Sequence, residues 1–235
     1  MPSILPGYTP FILVVLAWGC TRTPNIDNPV NKVTIKSADL NLTVTKDSSA
    51  ADGFTPNIIQ FHAGPSVDSF YHTVTFSIAP NGLFSNDSTQ ITLPIDINGQ
   101  AEAYAVSRIL GTMTVTASVA GSAEVQKPVT FTFAWPTQML ITIDSTFLTP
   151  ILGNWTEVTA TLLRNQGSVS PGVFINFSDS TTADSLIGSA VADSSGIASI
   201  RYYIPDTGYH GAVFINGVVM TPIGPVEGTG RVQVK

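Results

Sequence analysis

The chain has 235 residues, enough for one large or two modest domains, and 43% of them are hydrophobic, so a core can be filled. Charged residues make up only 11%, against about 25% in an average soluble protein, and the net charge is −6 with ten Lys and Arg that form no cluster. A nucleic-acid binder needs a basic stripe that replaces the counterions of the phosphates, so this composition argues against nucleic acid as a partner. It also argues against electrostatic docking on anionic lipid.

A short apolar segment lies near the start of the chain. Residues 11–19 read FILVVLAWG, without a charged side chain. A helix that crosses a bilayer needs about 20 apolar residues, whereas the apolar region of a signal peptide needs about 7–15. We therefore predict a signal peptide over residues 1–19, with a buried strand as the alternative.

The single cysteine of the chain, Cys20, follows this segment, so no intramolecular disulfide is available. The run Leu16-Ala17-Trp18-Gly19-Cys20 resembles the lipobox of bacterial lipoproteins, in which a small residue precedes a lipid-modified cysteine. It departs from the usual pattern at Ala17, where those lipoproteins carry Leu, and at the bulky Trp18. The resemblance implies lipidation of Cys20 and anchoring through that lipid in the cell envelope, at the outer membrane or cell surface. The alternative is an inert free thiol.

Residues 20–31 are predicted to form a tether. After the cysteine the sequence reads TRTPNIDNPVN, which is rich in proline and asparagine and nearly devoid of apolar residues. Such a stretch is typical of an extended linker that holds a folded part away from the membrane.

Short runs of alternating polar and apolar residues dominate the rest of the chain. A period of two, with many Val, Ile, Thr and Phe, predicts half-buried strands, and turn signals such as Asn98-Gly99 separate the runs. Many short strands with closely spaced turns indicate a sandwich or barrel. The clearest runs are Val33–Ile35, Leu40–Val44, Thr73–Phe76, Met113–Thr116 and Thr130–Phe133.

One turn pattern occurs in both halves of the chain. Residues 96–101 read DINGQA and residues 193–198 read DSSGIA, and similar strands flank the two in the same order. The Asp side chain of such a turn caps local amides, Gly takes the positive-φ position that a Cβ would penalise, and the small Ala faces inward. We therefore assign structural, non-catalytic roles to Asp96, Gly99, Asp193 and Gly196.

The order of these features resembles the bacterial Ig-like domain of the invasin/intimin type, Big-1. In the second half, VTATLLRNQG at 158–167 precedes the turn Pro171-Gly172-Val173, a strand ending in Phe177, and then the Asp193 turn. The first half matches at Ala51-Asp52-Gly53, at Thr73–Ser77 and at the Asp96 turn, but has HAGPSVDSF at 62–70 in place of the Gly/Pro turn.

The resemblance covers about residues 32–235 and implies an all-β fold of two tandem immunoglobulin-like β-sandwich domains after the N-terminal signal segment. We place the boundary at Trp135-Pro136, which gives a first domain at 32–135 and a second at 136–235. The join is short and contains Pro136, which removes backbone freedom, so a fairly stiff tandem is expected.

No group of residues in the sequence points to catalysis, a metal or a cofactor. The histidines are scattered and are predicted to be surface or edge residues. For calcium, Asp144 stands alone near the predicted joint, while Asp179 and Asp184 share one loop that offers at most a weak site. The histidines are His62, His72 and His210.

The aromatic residues give a further set of predictions. Trp155 and Phe174 fit alternating core positions, whereas Phe147 and Tyr209 lie near loops, where they could form a ligand platform. Tyr202 and its neighbour 203 are adjacent on one strand, so one of the two must face outward.

These features predict a non-enzymatic cell-envelope lipoprotein whose Ig-like domains act as a structural or adhesive binding module. A sandwich binds through its end loops or a strand edge, and protein or polysaccharide at the cell surface is the candidate partner. One alternative is a carbohydrate-binding accessory lipoprotein, which exposed aromatic residues at one end would favour. Another is an enzyme whose catalytic residues form no recognisable group in the sequence.

Overall fold

The computed structural model describes residues 39–64, 73–119, 124–181, 186–204 and 206–235. The described residues all belong to one compact unit, which lies within Thr34–Lys235. The predicted signal peptide, the tether, Cys20, the Val33–Ile35 strand, His72 and Asp184 lie outside the described residues.

The first sandwich consists of two packed sheets. One is four-stranded, in the order β1-β3-β7-β5, and the other is five-stranded, in the order β2-β9-β8-β4-β6. The pairings are antiparallel except that of β2 with β9, which is parallel. The strands are β1 (Leu40–Lys46), β2 (Ser49–Ala50), β3 (Asn57–Ala63), β4 (Thr73–Ala79), β5 (Leu83–Phe84), β6 (Gln90–Pro94), β7 (Gln100–Val106), β8 (Gly111–Ser118) and β9 (Glu124–Thr132).

Alternation of side chains builds the first core. In β4, Val74, Phe76 and Ile78 are buried while the residues between them point outward. Phe61 of the facing sheet meets Phe76 edge-on, with ring centroids 6.4 Å apart. Burial of a large apolar side chain contributes about 1.5–3 kcal/mol, so these inward rows hold the two sheets together.

The second sandwich repeats this architecture. A three-stranded sheet, β10-β12-β15, packs on a five-stranded sheet, β11-β17-β16-β13-β14, and β11 pairs with β17 in parallel, as β2 does with β9. The strands are β10 (Gln138–Ile143), β11 (Phe147–Leu148), β12 (Trp155–Leu163), β13 (Phe174–Asp179), β14 (Leu186–Val191), β15 (Ile197–Tyr203), β16 (Gly211–Thr221) and β17 (Gly224–Val234).

The two sandwiches have separate hydrophobic cores. The first cluster runs from Leu40 to Phe131 and the second from Ile141 to Val234. Phe133 and Trp135, in the connection, pack against the second cluster, with their ring centroids 4.5 Å apart. The predicted fold class, all-β with two tandem Ig-like sandwiches, is confirmed.

Within the described residues, no helix has the length and apolar character needed to cross a bilayer.

Candidate binding surfaces

The two predicted turns have matching geometry. In the first, Asp96 Oδ1 accepts hydrogen bonds from the amides of Asn98 at 2.9 Å and Gln100 at 2.7 Å. In the second, Asp193 Oδ1 accepts from Ser195 at 2.7 Å and Ile197 at 3.0 Å. The hydrogen bond from Gln100 is the main reason that the pKa of Asp96 lies below its usual value. Both carboxylates are thus engaged with backbone amides inside their own turns.

The glycines of the turns are required by backbone geometry. Gly99 has φ +76° and Gly196 has φ +75°. A Cβ at Gly99 would lie 2.9 Å from the carbonyl oxygen of Ala63, and one at Gly196 would lie 2.9 Å from that of Leu162. In each turn the glycine carbonyl also accepts a hydrogen bond of 2.8 Å from the amide of that neighbouring residue. Any side chain would disturb the strand beside the turn.

A buried ionic contact that no sequence pattern predicts joins the two sandwiches. Asp52, after β2, has a side chain with no exposed surface, and its Oδ2 lies 3.2 Å from Nη2 of Arg164, after β12. Its Oδ1 accepts hydrogen bonds from the amides of Phe54 at 2.8 Å and Thr55 at 2.7 Å. Burial by itself would raise the pKa of Asp52, but the hydrogen bonds from Thr55 and Phe54 and the charge of Arg164 outweigh it and hold the pKa below its usual value.

Backbone contacts reinforce this joint. The amide of Ser168 donates to the carbonyl of Asp52 at 2.8 Å, and a Cβ on Gly167 would lie 2.6 Å from that same oxygen. Ala134 and Ser170 exchange two hydrogen bonds of 3.0 Å, one between backbones and one to the Ser170 hydroxyl. The two sandwiches therefore meet through a specific, close-packed contact.

The prediction that Asp144 lies near the joint is wrong. β10 begins beside the joint and runs away from it, so Asp144, which follows its last residue, lies toward the far end of the second sandwich. The acidic residue at the joint is Asp52, and its partner is an arginine. Among the described residues, no three His, Cys, Asp or Glu side chains are grouped as metal ligands.

Asp179, which was predicted to lie in a loop, is the last residue of β13, and its carboxylate is held by hydrogen bonds within the fold. It is fully buried, and the hydroxyl of Tyr202 donates to its Oδ2 at 2.9 Å, while Thr181 donates twice to its Oδ1. Burial, and then the hydrogen bond to Asp179, raise the pKa of Tyr202 well above its usual value. Tyr202 is buried and Tyr203 is exposed, which confirms that one of the pair faces outward.

The prediction of core positions for Trp155 and Phe174 is wrong, because their side chains are 42% and 54% exposed. Trp155 lies opposite Tyr203, which is 49% exposed, on the outer face of the three-stranded sheet. The guanidinium of Arg201 lies 4.6 Å from the Trp155 ring centroid. Phe147 is exposed, as expected of a residue near a loop.

The remaining residues named from the sequence lie at the surface or beside the second core. His62 lies exposed on β3, and His210 is exposed before β16, which confirms the surface prediction for these two. Tyr209 is partly buried against the second core, with its hydroxyl donating to the carbonyl of Ala212 at 2.9 Å. A shallow depression of about 330 Å³ lies on the five-stranded sheet of the second sandwich and is lined by Asn176, Phe177, Ser178, Leu186 and Val218.

The fold and the joint define the class of protein: tandem Ig-like β-sandwiches that are coupled by a specific, close-packed interface. No protein-family model and no curated protein matches the sequence.

Among solved structures, the chain is similar to invasin, described as a bacterial integrin-binding protein, with a TM-score of 0.58 and 17% identity over 83% of this chain and 39% of that one. It is also similar to the Yersinia pseudotuberculosis adhesin InvE, with a TM-score of 0.51 and 13% identity over 87% of this chain and 61% of that one. The chain thus spans less than two thirds of either structure. At these identities the likeness shows the fold, and the predicted resemblance to invasin-type Ig-like repeats is confirmed at that level.

Proposed function

We propose that the chain is a non-enzymatic structural or adhesive binding module of the bacterial cell surface. The observation that carries the proposal is the joint between Asp52 and Arg164, which couples two sandwiches into one unit. Invasin and InvE, the similar structures, are named as an integrin-binding protein and an adhesin. Surface recognition by protein is the partner chemistry that this likeness favours.

The joint matters for such a function because it resists bending. A buried ion pair with close backbone contacts has one good geometry, and a rotation that separated the domains would leave the Asp52 carboxylate without its cation, at a cost of about 2–3 kcal/mol. A flexible linker would instead let the second domain fold back toward the membrane. We infer that the module holds its distal surfaces at a set distance.

The test uses the native bacterium. A strain that lacks the protein is complemented with the wild type, with Arg164→Met, and with Arg201→Met as a matched control that removes an exposed arginine of the same domain. After display is checked on intact cells, attachment to host cells or to a surface should be restored by the wild type and the control and reduced for Arg164→Met. Unchanged attachment after deletion would refute an adhesive role, and full restoration by Arg164→Met would refute the role of the joint.

We propose that Cys20 is the anchor, through a lipid added after removal of residues 1–19, with residues 20–31 as the tether. The proposal rests on the lipobox-like run and assigns no cofactor. It places the folded domains at the outer membrane or cell surface, in the cell envelope.

We propose domain limits at 32–135 and 136–235. The separate cores support two folding units, and about 100 residues suffice for each. Because Phe133 and Trp135 pack against the second core, a fragment starting at residue 133 should be more stable than one starting at 136. Dispersed amide spectra from both fragments are expected, and a collapsed spectrum from both would mean that the halves need each other to fold.

Carbohydrate binding is a second candidate because Trp155 and Tyr203 form an exposed aromatic pair. Sugar rings stack on such side chains, although Arg201 already covers one face of the indole. Glycan-array binding by the wild type that disappears in Trp155→Ala and persists in Phe174→Ala would support it. Absence of glycan binding by the wild type would remove it.

A further inference from the structure

A continuous apolar row crosses the outer face of the five-stranded sheet of the second domain. Val191 of β14 pairs with Phe174 of β13, and the register that pairs Asn176 with Val218 brings Phe174 in line with Met220 of β16. Phe174, Val191 and Met220 are 54%, 57% and 66% exposed. Three large apolar side chains on rigid strands thus form one patch on the surface.

The first domain shows that folding does not require this row. By strand register, Thr73 occupies the position of Phe174, Pro94 that of Val191 and Ser118 that of Val218. Apart from Pro94 these positions are polar, and on the same face the hydroxyl oxygens of Thr75 and Thr92 lie 2.9 Å apart. The same architecture therefore folds with a mainly polar face, and the apolar side chains of the second domain need another explanation.

The charges of the face are few and balanced. We take the face as the outward residues of β13, β14, β16 from Phe214 to Met220, and β17 from Pro225 to Arg231, all of which the structure describes. Within it, the charged side chains are Glu227 and Arg231, which lie at the β17 side. A chain of net charge −6 repels its copies in general, but this face does not.

We infer that this face binds the same face of a second copy of the chain, an association that goes beyond the proposed function. A two-fold axis parallel to the strands, between β13 and β16, places each Phe174 on Met220 of the other copy. Sulfur–aromatic contacts of this kind are favourable. The axis also sets Glu227 opposite Ser189 of the other copy and keeps the two Glu227 carboxylates on opposite sides of the interface.

The size of the face fits a weak, specific dimer. Four strands about 4.8 Å apart and seven residues of β16 at about 3.3 Å each cover roughly 19 by 23 Å. Because projecting side chains add to this flat area, two copies would bury about 1,000 Å² of accessible surface in total. This area is near the lower limit for a specific interface. We therefore expect a dissociation constant in the micromolar range.

Sedimentation equilibrium of the full chain, in detergent matched in density to the solvent, tests the inference. The wild type should show a reversible monomer–dimer equilibrium. Phe174→Thr, which installs the residue of the first domain, should weaken the dimer about tenfold or more. Leu140→Thr is the matched control, since it removes a similarly exposed apolar side chain from the other sheet of the same domain and should leave the dissociation constant unchanged.

A charge experiment tests the register without touching the apolar row. Ser189→Glu sets a carboxylate against Glu227 of the other copy and should weaken the dimer, and adding Glu227→Lys should restore it. Thermal unfolding checks that every variant keeps its fold. A monomeric wild type would overturn the inference, as would a dimer that survives Phe174→Thr or is weakened equally by Leu140→Thr. Failure of Glu227→Lys to rescue Ser189→Glu would overturn the register. None of these results depends on the adhesive role.

Discussion

Removal of the Arg164 guanidinium is the sharpest perturbation of the joint. Arg164→Met keeps the length and much of the apolar stem of the side chain but leaves the Asp52 carboxylate, which has no exposed surface, without its cation. It also removes the hydrogen bonds of Arg164 to the carbonyls of Trp135 and Gln166.

The expected cost follows from what Asp52 retains. Removal of one partner of a buried ion pair costs about 3–5 kcal/mol. Asp52 keeps three hydrogen bonds that Phe54 and Thr55 of its own loop donate, so its charge remains partly stabilised without Arg164. We therefore expect the free energy of unfolding to fall by about 2–3 kcal/mol.

Urea-induced unfolding of the full chain, followed by tryptophan fluorescence, measures this cost. A double-mutant cycle with Asp52→Asn should give a coupling energy of about 1–3 kcal/mol. Arg201→Met, which removes an exposed cation over Trp155, should cost less than about 1 kcal/mol. The folded pKa of Asp52 lies below its unfolded value, so this coupling is present at neutral pH and is lost as the pH falls through the folded pKa.

Two results would refute the reasoning. A cost for Arg164→Met no larger than that for Arg201→Met would mean that the ion pair contributes nothing beyond surface electrostatics. A coupling energy near zero, with each single variant costly, would mean that Asp52 and Arg164 act through separate contacts.

Other perturbations address the turns, the buried tyrosine and the anchor. Gly99→Val should lower only the calorimetric transition of the first domain, and Gly196→Val only that of the second. Each should cost its domain about 2 kcal/mol or more of unfolding free energy, because a β-branched residue is strained at positive φ. A single shared transition that both variants lower equally would contradict two domains. The raised pKa of Tyr202 means that its stabilisation is present below pH about 10 and is lost as the pH rises toward the folded pKa, so the second domain should weaken in alkali. Tyr202→Phe should abolish that slope and cost about 1–3 kcal/mol at neutral pH, because it removes the hydrogen bond to the buried Asp179 carboxylate. Cys20→Ser should move the protein from the membrane fraction to the soluble extract, whereas an unmodified thiol on a fully soluble wild type would show that there is no lipid anchor.

Local chemistry made the strands and turns predictable from the sequence. A period of two in runs such as Thr73–Phe76 reflects a strand with one buried face, and that rule also separates Tyr202 from Tyr203. The Asp96 and Asp193 turns are likewise local, since the capping side chain and its amides lie within four residues of each other.

The wrong predictions for Trp155 and Phe174 show that alternation identifies two faces of a strand but does not by itself identify the buried one. Trp155 shares its face of β12 with the polar residues Glu157 and Thr159. These polar neighbours at a spacing of two indicate that the indole points outward. Phe174 belongs to a strand with a phenylalanine on each face, so the pattern by itself could not show which one enters the core.

The sequence by itself determined the class of fold, because strand period, turn chemistry and the repeated pattern are all set by neighbours along the chain. Only the tertiary structure decided the joint, since Asp52 and Arg164 are 112 residues apart and nothing local marks either as a partner. It also decided the apolar row, because Val191, Phe174 and Met220 come from three strands whose alignment depends on register. Contacts across sheets and between domains depend on how whole elements pack, and that information is not contained in any single stretch of sequence.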